Sequence, residues 1–277
     1  MTIRIVRGAP TPLDPWGPRL VDTPSRLVFE TMGTVVSLDV PGGLDTQQRH
    51  ELQGIFVDRD ARFSLYRPGS EATAVSAGRL PVTRSSEAFR AAFGVAQDWY
   101  VRTDGAFTPY PPAGGMDLGG VVKALAIRAA GELLDGWSVS SWCLDAGGDV
   151  LVRTSATSPV WVIGVVDPRE REHLLAKVRL DGHPHRAVAT SGIAERGEHI
   201  WRVPGGDHII QASVLADDIV TADVLATAVV AGGRGTMQHV VADQSSSGHP
   251  VEVLSIAGDH MVTGTAGFTD IITSSAR

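Results

Sequence analysis

The sequence predicts an α+β fold, and three observations predict it. Strand-like segments come in hairpin-like groups joined by glycine or aspartate–proline turns, rather than in strict alternation with helices. Two long segments, Thr46 to Phe63 and Met116 to Gly136, repeat their apolar residues at helical spacing. With 277 residues, 43% of them hydrophobic and 20% charged, the chain is long and apolar enough to bury a large core.

Residues 1–24 are rich in proline and read as an extended or disordered arm ahead of a domain over 25–277. Arg26 to Val40 alternates and is rich in β-branched residues, which predicts two strands with a bend at Gly33. Thr46 to Phe63 is a helix with Leu52, Ile55, Phe56 and Ala61 on its apolar side. Phe63 to Glu71 is a loop, turned by Pro68 and Gly69. Ser85 or Ser86 caps a second helix that runs to about Tyr100. Thr103 to Pro112 is irregular. The helix opened by Met116 carries two adjoining stripes: Val121, Leu125, Ala129 and Leu133, then Val122, Ala126, Ala130 and Leu134. Strands follow over Ser140–Arg153 (broken at Gly147 and Gly148), Val160–Val166, Leu174–Leu180, Arg186–Gly192 and His208–Leu215. A helix over Val220–Val230, closed by Gly232 and Gly233, a short helix from Gly235 to Asp243, and strands Val251–Ile256 and His260–Thr263 complete the order.

Composition excludes several functions. A net charge of −7 without any basic cluster argues against nucleic-acid binding. Cys143 is the one cysteine, so neither a disulfide framework nor a cysteine metal site is available, and its apolar setting predicts burial. His183 and His185, flanking Pro184, read as an exposed turn. No run reaches the ~18 apolar residues that span a membrane. The first residues lack the apolar core of a signal peptide and a lipidation cysteine, so a cytoplasmic location is expected.

The stretch Met116 to Gly136 carries the first chemical signal. Gly119 and Gly120 leave the backbone bare where the opening amides of a helix lack partners, an arrangement that attracts a phosphate. Lys123 lies within the first turn and could reach the same anion. The chain holds two lysines, Lys123 and Lys177, in a total of 24 basic residues, so a lysine kept here points to a task that the forked arginine does not serve. The second signal is Asp223 and Thr227, four apart on one helix face. A carboxylate and a hydroxyl on adjacent turns offer two hard oxygen ligands of the kind Mg²⁺ takes alongside phosphates. The third is His199, in a loop just after Thr190-Ser191-Gly192.

Taken together, eight short motifs in order resemble one family. They are Met32-Gly33-Thr34; Ser64 to Ser70; Asp104-Gly105-Ala106-Phe107; Asp117-Leu118-Gly119-Gly120 with Lys123; Ala146-Gly147-Gly148-Asp149; Thr190-Ser191-Gly192; His199-Ile200; and Ala222-Asp223 with Ala226-Thr227. The family is that of the FAD:protein FMN transferases, the ApbE family, formerly the thiamine-biosynthesis lipoproteins. The resemblance implies largely antiparallel sheets packed with helices and a flavin site between two lobes. It implies FAD as donor, with Mg²⁺ on its pyrophosphate, and a target flavoprotein whose threonine or serine receives FMN as AMP leaves. By motif match it makes Asp223 and Thr227 side-chain metal ligands, and Gly120 and Ala226 carbonyl ligands. Met32, Tyr66, Ala106, Phe107, Thr108, Asp117, Lys123 and Trp201 fall where such proteins contact the flavin nucleotide, and His199 matches the family's histidine, the candidate base.

This chain also departs from the family pattern. Trp201 to Gly206 replaces the usual continuation after the histidine, and the acid there is gone. Arg128 stands for a usual aspartate, Ala124 for a usual glycine, and Thr108 for a common aspartate. The segment between Pro109 and Met116 is shorter than usual. Three functions are compatible with this sequence: an FMN transferase, an FAD pyrophosphatase giving FMN and AMP, and a flavin-binding protein without turnover.

Overall fold

The structure is a computed structural model, which describes residues 3–7, 23–155, 160–180, 185–193 and 200–271. The first strand is β1 (Ile3–Arg7). The alternating segment after the arm folds back on itself as β2 (Arg26–Thr31) and β3 (Thr34–Asp39), antiparallel about Met32-Gly33. Helix α1 (Thr46–Phe63) starts at a capping box, in which Asp45 accepts from the Gln48 amide and the Gln48 side chain accepts from the Asp45 amide. Leu52 and Phe56 are buried on its inner face, whereas Ala61, expected there, is exposed.

The loop expected to run to Glu71 ends one residue earlier. Ser70 caps the short helix α2 (Glu71–Ser76) through the Thr73 amide at 3.0 Å. Of the two serines offered as a cap, Ser86 takes that place for α3 (Glu87–Arg102). The central helix is α4 (Gly119–Gly136). Its buried face is the stripe Val122, Ala126, Ala130 and Leu134 with Val121, Ala124, Ile127 and Gly131, while Leu125, Ala129 and Leu133 are only half-buried. The expected double stripe is thus rotated, because α1, α3, α5 and strands of the sheet all pack on this helix.

Strands β4 (Trp142–Ala146), β5 (Asp149–Arg153), β6 (Trp161–Val166), β7 (Leu174–Leu180), β8 (Ala187–Gly192) and β9 (Ile209–Ala216) follow. Helix α5 (Ile219–Ser246) is capped by Asp218 and broken at Gly233, whose φ of 78° is left-handed. The two helices expected on either side of Gly232-Gly233 are therefore both present, joined at that kink. Strands β10 (Glu252–Ala257) and β11 (Val262–Gly264) and a last helix, α6 (Ala266–Ile271), complete the chain.

Every strand pair among the described residues is antiparallel. Eight strands form one sheet in the order β11-β10-β9-β8-β5-β4-β3-β2, and β1-β6-β7 form a second. Side-chain alternation assigns each face of the large sheet its own partner. Leu144, Leu151, Ala187, Ala189, Ala212 and Val214 join the core made by α1, α3, α4 and α5. Their neighbours Cys143, Val150, Val152, Val188 and Leu215 join Ile163, Val165 and Val178 of the small sheet. The result is three layers, helices on sheet on sheet. Cys143 is buried, as expected. His185 is buried too, two residues before β8, which corrects its reading as an exposed turn. His183 lies outside the described residues. Among the described residues, no helix is long and apolar enough to cross a membrane.

Candidate functional site

The candidate site residues lie at the start of α4 and in the first half of α5, two helices that pack together. From Ile219 to Val230 the residues of α5 are buried, with one exception: Thr227 is half-buried. Asp223 is 6% exposed, one turn before it on the same face. The Thr227 hydroxyl shares a 2.9 Å hydrogen bond with the Ser191 hydroxyl at the end of β8. Ala226 is fully buried between them in sequence.

Gly119 and Gly120 are exposed at the start of α4. No side chain caps this helix in the usual way. Instead the Asp117 carboxylate accepts from the Gly119 amide at 2.7 Å, so one amide expected to face an anion is already taken. Gly120 has a steric reason to be glycine: an added Cβ would lie 2.8 Å from the Phe107 ring. Phe107 is buried and held by its amide, which donates to the Thr103 hydroxyl at 3.0 Å. That hydroxyl donates onward to the Trp99 carbonyl at 2.7 Å. Ala106, also buried, approaches Gly232 of α5, where an added Cβ would be 3.1 Å from its own.

The loop after residues 194–199 is tied to the same part of α5. Arg202 donates to the Val230 carbonyl at 3.1 Å and to the Ile209 carbonyl at 2.9 Å, and the Val203 amide donates to Ala231. These bonds tie the segment that carries the half-buried Trp201 to the end of the first half of α5. The kink at Gly233 makes room for the changed loop. Gly206 lies against the Gly232 carbonyl, and the Asp207 carboxylate accepts from the Arg234 amide at 3.3 Å, capping the second half of α5.

Lys123 forms an ion pair with Asp149, whose side chain is 1% exposed. Asp145, one strand away, has its carboxyl pushed up to about 6. Burial is the main cause and the Asp149 charge adds to it, while the Gly148 amide, Lys123 and Arg26 work against it. The turn between Asp145 and Asp149 touches the β2–β3 turn: Gly147, with φ of 63°, lies against the Thr34 side chain and donates to the Val35 carbonyl. Met32 is thereby held next to this cluster, in a left-handed conformation with φ of 50°. A groove of about 590 Å³ opens beside it, lined by Met32, Thr34, Val57, Asp60 and Arg67.

The structure thus brings Gly120 against Phe107, Ala106 against Gly232 and Lys123 against Asp149, and sets Asp223 and Thr227 on adjacent turns of one helix. Tyr66 stands apart at 98% exposure, on the loop after α1. Thr108 is half-buried and accepts from the Tyr110 amide at 3.1 Å. His199 lies outside the described residues. Sequence reasoning gave no role to Ser191, Asp145 or Asp149, although all three stand in or beside glycine turns that it singled out.

Comparison with known proteins agrees with this architecture. Among curated proteins, no sequence matches. The crystal structure of the ApbE protein from Thermotoga maritima superposes with a TM-score of 0.73 at 19% identity, over 90% of this chain and 99% of that one. The flavin transferase ApbE from Vibrio cholerae gives a TM-score of 0.68 at 18% identity, over 89% and 98% of the two chains. The flavinyl transferase ApbE from Pseudomonas stutzeri, in its apo form, gives 0.68 at 17% identity, over 90% and 97%. The ApbE family model matches residues 110–249, half of the chain, and that span contains α4, the glycine turn before Asp149 and the Asp223–Thr227 face of α5. On that match, joined to the shared fold, this chain belongs to the ApbE family.

Proposed function

We propose that this chain is an Mg²⁺-dependent FAD:protein FMN transferase, acting on a threonine or serine of a target flavoprotein. What supports the reading is the ApbE family match over a span that carries both an exposed glycine end on α4 and a buried Asp223 with a half-buried Thr227 one turn apart on α5. The donor set is all oxygen: one carboxylate, one hydroxyl and the carbonyls of Gly120 and Ala226. That chemistry fits a hard cation that keeps phosphate oxygens in its shell. Among the described residues no three His, Cys, Asp or Glu side chains gather as a metal group, so phosphates are needed to complete the set. Bound there, Mg²⁺ would neutralise charge on the pyrophosphate and its leaving oxygen.

The chain's own residues supply the rest. Ser191 can accept the Thr227 hydroxyl proton, which turns the free lone pairs of Thr227 outward. Phe107 sets an apolar ring against the exposed start of α4, and Met32, Ala106 and Trp201 are the further apolar contacts that the family resemblance assigns to the flavin nucleotide. Lys123, partly offset by Asp149, places one positive charge near the phosphates rather than a bare cluster. The acceptor hydroxyl attacks the phosphorus on the FMN side, the bond to the AMP phosphate breaks, and AMP leaves. His199 takes the hydroxyl proton.

The test incubates the purified protein with FAD and Mg²⁺, with and without a flavoprotein domain carrying an acceptor threonine. AMP and FMN are followed by chromatography and covalent flavin by in-gel fluorescence. The expected result is AMP together with labelled target, abolished by EDTA and by Asp223→Ala. AMP with free FMN and no labelled target would make the protein a pyrophosphatase instead. An Asp223→Ala protein with full activity would overturn the metal assignment.

A further inference from the structure

We infer that Arg128 and Asp218 form a clamp that sets the register between the two halves of the metal site, making Arg128 a positioning residue. The inference rests on the function proposed above. Arg128 donates from Nε to one carboxylate oxygen of Asp218 at 2.7 Å and from a terminal nitrogen to the other at 2.6 Å. This is the two-pronged geometry that fixes orientation as well as distance. Asp218 is also the cap of α5, accepting from the Thr221 amide at 2.9 Å and the Thr221 hydroxyl at 3.1 Å. Burial pushes the Asp218 carboxyl up, yet the hydrogen bonds from Arg128 and Thr221 outweigh it and hold the group below its ordinary range.

Two ties define how the helices run. Arg128, in the middle of α4, meets the start of α5. Gly120, at the start of α4, meets the Ala106-Phe107 segment, which touches Gly232 well along α5. The helices are therefore antiparallel. At 1.5 Å rise per residue, Gly120 lies about 12 Å along α4 from Arg128, and the same distance from Asp218 along α5 leads to Ala226. The clamp thus brings the Gly120 carbonyl level with the Ala226–Thr227 turn. Gly120, Ala124 and Arg128 also lie along one row of α4, at successive steps of four. The arginine that replaces the family's usual aspartate is accordingly a working part, joined to a capping aspartate on the facing helix.

The experiment measures FAD affinity by fluorescence quenching across a Mg²⁺ titration, with EDTA as the metal-free reference. It uses Arg128→Met, which keeps side-chain bulk, and Asp218→Ser, which keeps a capping oxygen but loses the carboxylate. Each variant should raise the Mg²⁺ concentration for half-maximal effect about tenfold, while FAD affinity in EDTA stays within about twofold of wild type. The double variant should be no worse than either single one, because both remove the same clamp. Arg128→Lys should recover part of the loss. An unchanged Mg²⁺ midpoint, or losses that add in the double variant, would overturn the clamp alone. A wild-type protein whose FAD binding ignores Mg²⁺ would overturn the clamp and the proposed function together. Should Arg128→Met fold poorly, Arg128→Lys and Asp218→Ser carry the same comparison.

Discussion

Gly120→Ala tests the fold and the site together. The new methyl carbon would sit 2.8 Å from one edge carbon of Phe107 and 3.2 Å from the next. Carbon atoms rest at about 3.5 Å or more, so ring or helix must give by about 0.7 Å. The ring has little freedom, because Phe107 is 3% exposed and its amide is fixed to Thr103. Overpacking of this kind costs about 1–3 kcal/mol. Alanine's better helix propensity returns at most about 1 kcal/mol, and less in a first turn. A net loss of about 1–2 kcal/mol is therefore expected in urea unfolding at constant m-value. Because the displaced backbone carries the Gly120 carbonyl, turnover should fall by about tenfold or more, beyond what the stability loss explains. Phe107→Leu in the same chain should recover much of the stability. A Gly120→Ala protein as stable and as active as wild type would show that the Phe107 contact does not constrain this helix end.

Three further predictions concern His199, Asp145 and Gly147. His199→Ala should slow FMN transfer far more than it weakens FAD binding, as measured by single-turnover labelling beside a fluorescence titration; equal losses in both would remove it as the base. Asp145, with its carboxyl at about 6, keeps a proton in the folded chain over a range where the unfolded chain has lost it. Its contribution is complete below the ordinary carboxylate pKa and is lost as pH rises through about 6, a change of about 3 kcal/mol. Asp145→Asn should flatten that part of the stability profile in denaturant titrations between about pH 4 and 7, and an unaltered slope would refute the shift. Gly147→Ala adds a Cβ against the Thr34 hydroxyl at a left-handed position, so it should destabilise by about 1–3 kcal/mol and disturb the Met32 turn; Thr34→Ala alongside it removes the hydroxyl but should not rescue the backbone strain, and full rescue would place the whole cost in the clash.

Much of this fold was legible because each periodic signal had a single physical cause. The Thr46–Phe63 helix and the Leu174–Leu180 strand fall on the residues expected, and Gly147-Gly148 turns the chain between two paired strands. The short helices α2 and α6 were not legible, since six residues give too little periodicity to stand out from a loop. The rotated stripe of α4 shows a different limit. Periodicity reports that a face is apolar, but which of two adjoining rows lies deepest depends on what packs there, and Ala124 and Gly131 are deep because they are small. At the site, the Asp223–Thr227 face could be read from spacing. The partners of those residues could not. Ser191 reaches Thr227 across 36 positions of sequence, and Arg128 reaches Asp218 across 90. Such pairs leave no local trace in a single chain.

The strand order has a consequence for how the molecule comes into being. The large sheet grows inwards from a hairpin made early, β2–β3, to a seam, β5–β8, that closes only after the intervening small-sheet strands have been made. The exposed glycine end of α4 is therefore synthesised long before α5 exists to face it. Contacts of such long sequence separation form slowly. A nascent chain halted before α5 would leave the side of α4 that packs on α5 without its partner, a natural target for chaperones and proteases. Flavin would then meet only finished molecules, and its binding would report completion of the chain as much as integrity of the pocket.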